Sequence, residues 1–254
     1  MTSDSNSSIL GTTTTSLEII ELLRDMDGAR VNELAEEMDR PKSTVHGHLK
    51  TLERKLFVMK EGDVYYPGPE LLRLGHYVET LRSEYVLAEE FTERLRDQLG
   101  YRSIFVAEMG GQGVFLHLAT GQRSEWSHEG PGERLYLHNT AVGKAILASK
   151  PEWRVEEILD QWGMPAETEN TITSHEALLD ELEEVREQGY AVNRGENIEG
   201  LSAVGVAVED QSGVAFGAFS VTGPSQVFDA DVIETVADET MGIVKEFELE
   251  LTLS

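Results

Sequence analysis

NELAEEMDRPKSTVHGHLKTLERKLFVMK, residues 32–60, is the stretch on which the reading of this chain turns. Over residues 40–60 the bases are Arg40, Lys42, Lys50, Arg54, Lys55 and Lys60, and the one acid is Glu53. That is a local net charge of +5 in a chain whose net charge is −26. Pro41 suits the first turn of a helix, where its missing N–H costs nothing. Behind it Val45, Leu49, Leu52 and Leu56 fall at i, i+4, i+7 and i+11, one apolar stripe to bury. Lys42, Ser43, His46, Gly47, Lys50 and Arg54 are left to the other faces. A positive helix on a strongly negative body implies a polyanionic partner.

The flanks complete a unit. Upstream, Leu17, Ile20, Leu23 and Met26 repeat at helical spacing and stop near Asp27-Gly28. Asn32 is the expected N-cap of a second short helix with Leu34, Ala35 and Met38 on its apolar face. Downstream, residues 57–60, Glu61-Gly62-Asp63 and residues 64–66 read as strand, tight turn and strand. Three helices and a hairpin predict a winged helix-turn-helix. Its third helix offers cations, hydroxyls and two imidazoles, His46 and His48, to phosphates and base edges. The competing reading is a solvated charged helix in a protein-binding domain; the local reversal of charge favours DNA. His46 and His48 are no metal pair, because residues two apart on a helix point in different directions. Gly47 costs a helix interior about 1 kcal/mol relative to alanine. Close approach to a duplex and simple tolerance explain it equally well.

The whole chain has 47 acids against 21 bases, and its bases are seven lysines and fourteen arginines. The acids are spread along the chain rather than gathered in a tail. A halophile-like protein, built for a salt-rich cytoplasm that screens carboxylate repulsion within a few ångströms, is the expectation. There are no cysteines, so disulfides, thiolate zinc sites and cysteine nucleophiles are excluded. The start, MTSDSNSSILGTTTTS, lacks the basic and apolar regions of a signal peptide, and no window approaches eighteen apolar residues. A cytoplasmic protein with no membrane segment is predicted. Residues 1–80 carry a net −5 and residues 81–254 a net −21, so only the first part suits nucleic acid.

Pro67-Gly68-Pro69 closes the first unit, and residues 71–100 read as one connecting helix with Gly75 as its weak point. Beyond it, strands are predicted at 102–108, 114–119, 134–138, 190–194, 202–208 and 214–221, and helices at 140–149, 152–162, 175–188 and 229–249. Gly110-Gly111-Gln112-Gly113 and Asp210-Gln211-Ser212-Gly213 read as hairpin loops, which implies an antiparallel sheet with flanking helices, an α+β domain. LYLHNTAVGKAILA, residues 135–148, opens a helix at Asn139 or Thr140 directly after a strand, an arrangement whose free N–H groups suit an anion. It is not a phosphate loop: His138 stands where the first glycine belongs and Ala145 follows Lys144. Thr140 and Lys144 are four apart, which excludes a Ser/Thr-x-x-Lys acyl-transfer site. Gly143 and Ala145 are expected to let the helix pack close to the sheet. His76, His117, His128 and His175 lack ligand spacing, and nothing assembles a nucleophile, base and orienter. No catalytic residue, metal or cofactor is predicted.

Over about residues 14–250 the chain resembles the IclR family of bacterial and archaeal transcriptional regulators. The resemblance rests on LAEEMDRPKSTVHGHLKTLE, YYPGPELLRLG, LHNTAVGKAILAS, VREQGYAVNRGENIEGLSAVGVAV and FGAFSVTGP, in that order. Residues 1–13 read by composition as a disordered Ser/Thr-rich arm, and the resemblance implies a winged helix at 14–68, a linker helix at 69–84 and a GAF/profilin-like effector domain at 85–254. It further implies a homodimer or homotetramer on a palindromic double-stranded operator, controlling catabolic genes and answering to a small acid. A sensor that acts through protein partners without binding DNA is the alternative. The matched positions place Lys42, Ser43, Thr44, His46 and Lys50 on DNA, with Gly47 where the family commonly has arginine and Lys60 in the wing. In the effector domain they are Thr140, Ala141 and Val142 at the helix start, Asn193 after a strand, and Ala203, Ser220 and Thr222 on facing strands. The family often has cysteine at the position of Ala203 and proline near Ala207.

Overall fold

The computed structural model describes residues 10–123 and 130–253; positions 1–9 of the expected arm, and His128, lie outside them. The chain divides into two units after Val78. In the first, α1 (Gly11–Asp25), α2 (Val31–Glu37) and α3 (Lys42–Arg54) precede a hairpin of β1 (Val58–Glu61) and β2 (Val64–Pro67). Ile19, Leu23, Leu34, Val45, Leu49, Val58 and Tyr65 form its core. Ala29 exchanges backbone hydrogen bonds of 3.0 and 2.8 Å with Tyr65, which pins the α1–α2 loop to the wing.

Three local expectations change. Residues 11–13, expected in the arm, form the first turn of α1, with the Thr13 and Thr14 N–H groups donating to the Leu10 carbonyl at 2.9 and 3.1 Å. Asn32 lies inside α2; the cap is Arg30, whose N–H donates to the Glu33 carboxylate at 2.6 Å, the back-reaching half of a capping box. Leu56 does not extend the buried stripe of α3. It sits beyond the helix at φ +62° and is 59 % exposed. The Phe57 N–H donates to the Leu52 carbonyl at 3.0 Å, the bond that closes a helix through a left-handed residue and turns that residue outward.

The wing leads into α4 (Pro69–Glu79) through two backbone bonds: Gly68 N–H to the Phe57 carbonyl at 2.8 Å and Glu70 N–H to the Leu56 carbonyl at 3.1 Å. A Cβ on Gly68 would come within 2.3 Å of the Leu56 carbonyl oxygen, so only glycine passes here. The predicted single connecting helix is two helices, α4 and α5 (Ser83–Leu99). The break is at 80–82, where Arg82 is extended, and Gly75 stays helical. One exposed glycine costs about 1 kcal/mol, too little to end a helix.

The second unit holds one antiparallel sheet in the order β5-β4-β3-β8-β7-β6. The strands are β3 (Arg102–Met109), β4 (Gln112–Ala119), β5 (Arg134–Leu135), β6 (Ala191–Arg194), β7 (Leu201–Glu209) and β8 (Ala215–Pro224). The predicted strand at 134–138 shrinks to two residues because the chain from Tyr136 onward turns to cap the next helix. α5 and α9 (Ala230–Leu253) cover one face of the sheet around Phe91, Phe105, Phe219 and Phe247. The helices α6 (Ala141–Ala148), α7 (Glu152–Trp162) and α8 (His175–Gln188) cover the other around Val106, Ile146, Leu178 and Leu182. The result is the α+β architecture predicted, a winged helix-turn-helix followed by a helix-flanked antiparallel sheet.

Candidate functional site

On α3, Lys42, His46 and Lys50 fall at i, i+4 and i+8, and Ser43, Gly47 and Arg54 form the neighbouring row. All six are exposed, as is Thr44, while Val45 and Leu49 anchor the opposite face. Lys60 extends the positive surface onto the wing, its ammonium 5.1 Å from the ring centre of Tyr65. His48 does not join this face. Its Nδ1 lies 2.8 Å from the Ser16 hydroxyl on α1, so one imidazole, not two, is presented. A Cβ on Gly47 would meet nothing within 4 Å, so the packing of this chain does not require glycine there.

The second unit contains a cavity at the N-terminus of α6. Its floor is a row of directly opposed residues: Arg102 on β3 faces Thr222 on β8, Thr222 faces Ala203 on β7, and Ala203 faces Asn193 on β6. The next row in from the strand ends is Ile104, Ser220 and Gly205. Gly205 is what lets the helix descend onto the sheet, since a Cβ there would stand 2.5 Å from the Ala141 carbonyl carbon. Gly143, expected to do this, instead clears the backbone of Leu137 in the approach to α6, 2.2 Å from its carbonyl oxygen. Thr140, Ala141, Val142, Asn193, Ala203, Ser220 and Thr222 all line this one cavity, with Ile104, Phe115 and Ile198 as apolar walls. Its volume is about 60 Å³, room for a few ligand heavy atoms.

Hydrogen bonding decides what each residue still offers. The Thr140 hydroxyl donates to the Tyr136 carbonyl at 3.1 Å and accepts from the Gly143 N–H at 3.2 Å, an N-cap. The Ala141 and Val142 N–H groups are first-turn donors that no carbonyl of the helix can take. Asn193 is largely committed to structure. Its Oδ1 accepts from the Gly195 and Glu196 N–H groups at 2.9 and 3.1 Å, and its Nδ2 donates to the Asn139 carbonyl at 2.5 Å. The Ser220 hydroxyl donates to the Val204 carbonyl at 2.7 Å, which leaves its oxygen as an acceptor.

One lining residue was missed by sequence reasoning. Arg102 is 5 % exposed and is the one charged side chain among the described residues that line the cavity. Its guanidinium lies 6.0 Å from the ring centre of Phe115. The available signal was a cation in phase with the apolar Ile104 and Val106 of the same strand. Among the described residues no group of three or more His, Asp or Glu side chains is placed to hold a metal.

The sequence of the first unit matches the IclR helix-turn-helix domain over residues 14–62, and the second matches the domain described as bacterial transcriptional regulator IclR C-terminal over residues 86–246. The chain belongs to the IclR family. The probable HTH-type transcriptional regulator ArcR of Halobacterium salinarum is 31 % identical over 215 residues, 82 % of this chain and 81 % of that protein. The HTH-type transcriptional regulator KdgR of Escherichia coli is 29 % identical over 222 residues, covering 85 % and 83 %. The crystal structure of Thermotoga maritima IclR superposes with a TM-score of 0.80 at 28 % identity, over 95 % of this chain and 98 % of that one. The protein is thus an IclR-type DNA-binding transcriptional regulator, and its family is one of regulators rather than enzymes. No helix among its described residues is long and apolar enough to cross a membrane.

Proposed function

We propose that this IclR-type regulator acts in the cytoplasm as a dimer or tetramer on a palindromic operator and controls catabolic genes. Its operator affinity is set by a small anionic metabolite, a carboxylate or sugar acid, held in the cavity at the start of α6. The observation that carries this reading is the cavity itself. A helix N-terminus and a guanidinium line the same small space, and no carboxylate among the described residues does. Bound there, an anion would lie beside α6 and the neighbouring strands β3, β8, β7 and β6. It shifts the regulator only as far as its affinities for the two DNA-binding states differ.

On the DNA side, Lys42, Lys50 and Lys60 meet phosphates, and Ser43, Thr44 and His46 read base edges, with Gly47 at the closest approach. At molar salt the counterion-release gain of a few lysines shrinks, so groove fit and the pairing of two subunits carry more of the affinity. The test is the Lys42→Ala, Lys50→Ala double variant, titrated onto its operator over a range of salt concentrations. Weaker binding to every duplex is expected, with a slope of log affinity against log salt shallower by about 2 for each bound subunit, about 4 for a dimer. An unchanged slope and affinity would remove α3 from the interface.

A further inference from the structure

We propose that the turn between β6 and β7 is a flap over the cavity, and that the carboxylate of Glu167, on the loop between α7 and α8, is the latch that holds it shut. The flap serves regulation only on the reading of the cavity as the effector site, while its motion does not depend on that reading.

Of the residues that line the cavity, five also reach solvent: Asn197, Ile198, Leu201, Ala203 and Thr222. Three of the five belong to this turn and the first residue of β7, and Ile198 is the most open, at 38 % exposed. The turn is therefore a large part of what separates the cavity from water. Its two ends are built differently. At the start Glu196 is fixed: its carboxylate meets Lys144, and its carbonyl accepts from the Thr171 and Thr168 hydroxyls at 2.6 and 3.2 Å. At the far end Gly200 has φ +82°, and a Cβ there would meet nothing within 4 Å. Glycine in open space at such an angle makes a hinge.

Asn197, Ile198 and Glu199 span the interval. Among the described residues their one side-chain hydrogen bond runs from Asn197 Nδ2 to Glu167 Oε2, at 2.5 Å. The same oxygen accepts from Asn139 Nδ2 at 2.7 Å. Asn139 is fully buried and its Oδ1 has no partner, so its amide serves this carboxylate alone. The Thr171 hydroxyl that donates to Glu196 also accepts from the Glu167 N–H at 3.1 Å, which mounts the latch on the fixed end of the flap. One carboxylate thus ties the moving span to the residue before the N-cap of α6. To lift the span, a single charge-assisted bond must break and Gly200 must turn.

The chain has no cysteine, so an introduced thiol reports on one place. Ser220→Cys puts a thiol of nearly the same shape in the cavity, at a position 2 % exposed. Its modification by methyl methanethiosulfonate, a small uncharged reagent, is followed by mass spectrometry on the full chain in constant molar potassium chloride. Adding Glu167→Ala should speed the reaction roughly fivefold, the effect of losing one hydrogen bond on the open population. Glu167→Gln still accepts from both amides and should stay near the parent. Gly200→Ala should speed it by a similar factor, since alanine is strained at φ +82° while the flap is shut. Ala203→Cys, on the neighbouring strand, should show the same order. The control is Thr240→Cys, buried in α9 on the other face of the sheet, which should stay protected throughout. Cavity thiols that react at the parent rate in both Glu167→Ala and Gly200→Ala overturn the flap. A rise in Gly200→Ala alone overturns Glu167 as its latch. An equal rise at Thr240→Cys does so too, because Glu167 would then merely support the whole domain. No ligand enters these rates, so a cavity that binds no acid would refute the effector reading and leave the flap standing.

Discussion

Lys144 Nζ lies 2.8 Å from Glu196 Oε1, with the lysine 1 % exposed and the glutamate also buried, and Glu181 Oε1 meets the same ammonium at 2.8 Å. This triad joins the side of α6 to the turn after β6. Asn197 and Ile198, the next residues of that turn, line the cavity. The helix start and the edge of the cavity are thus held together by buried charge.

Lys144→Met should cost about 3–5 kcal/mol, because it leaves a buried carboxylate without its cation. Adding Glu196→Gln to it should restore most of that loss, since the carboxylate then left without its cation, Glu181, is part-exposed and hydrated. Urea unfolding at fixed potassium chloride measures both. A double variant as unstable as the single one would show that shape, not charge, is what Lys144 provides.

Gly205→Ala places a methyl group 2.5 Å from the Ala141 carbonyl carbon and 2.7 Å from the Val142 N. Both are backbone, so α6 must move off the sheet. A loss of about 1–3 kcal/mol is expected from overpacking, and with it any thermal shift produced by small carboxylates. A variant that keeps the full shift would place the ligand elsewhere.

Gly47→Ala meets no obstacle within this chain, so it should stabilise α3 by up to about 1 kcal/mol. Operator affinity, read by fluorescence anisotropy, should fall if the glycine serves close approach to the duplex, and that fall is the expected result. A more stable protein with undiminished affinity would mean that Gly47 is merely tolerated.

His138 is buried beside α6, its Nε2–H donating to the Pro165 carbonyl at 3.1 Å. Burial holds its pKa below the ordinary value of 6.5, against the opposing pull of that carbonyl and of Glu167. The unfolded chain therefore takes up this proton before the folded one does. Stability is unaffected well above pH 6.5 and declines as the pH falls through that value toward the lower folded pKa. His138→Gln keeps a donor for Pro165 and removes the titration. Its melting temperature should fall less than that of the parent between pH 7 and pH 5; parallel curves would assign the acid sensitivity to other groups.

What could be read from the sequence follows from how local each signal is. The winged helix was legible because proline, charge reversal and the Val45–Leu49 spacing lie within a few turns of one another. Leu56 misled for the same reason: periodicity continues through it, but the chain leaves the helix one residue earlier. The break at 80–82 carries no proline or glycine, whereas Gly75 does mark a weak point that the helix absorbs. Arg102 was invisible because its meaning comes from β8, β7 and β6, which bring residues 91 to 120 positions away into register beside it. Lys144 was weighed only as the lysine of a phosphate loop or an acyl-transfer site, both excluded; its partner Glu196 is 52 residues on. Asn193 was singled out as a polar residue after a strand, but its amide is engaged by Gly195, Glu196 and Asn139 only once the chain has folded.

The two backbone bonds between the end of α3 and the start of α4, from Gly68 to Phe57 and from Glu70 to Leu56, bear on how force travels in the first unit. Twisting α4 while α3 stays still requires breaking both, and the missing Cβ of Gly68 leaves no gap in which to slip. The two helices behave as a crank cut from one piece. That single piece ends with α4 at Glu79.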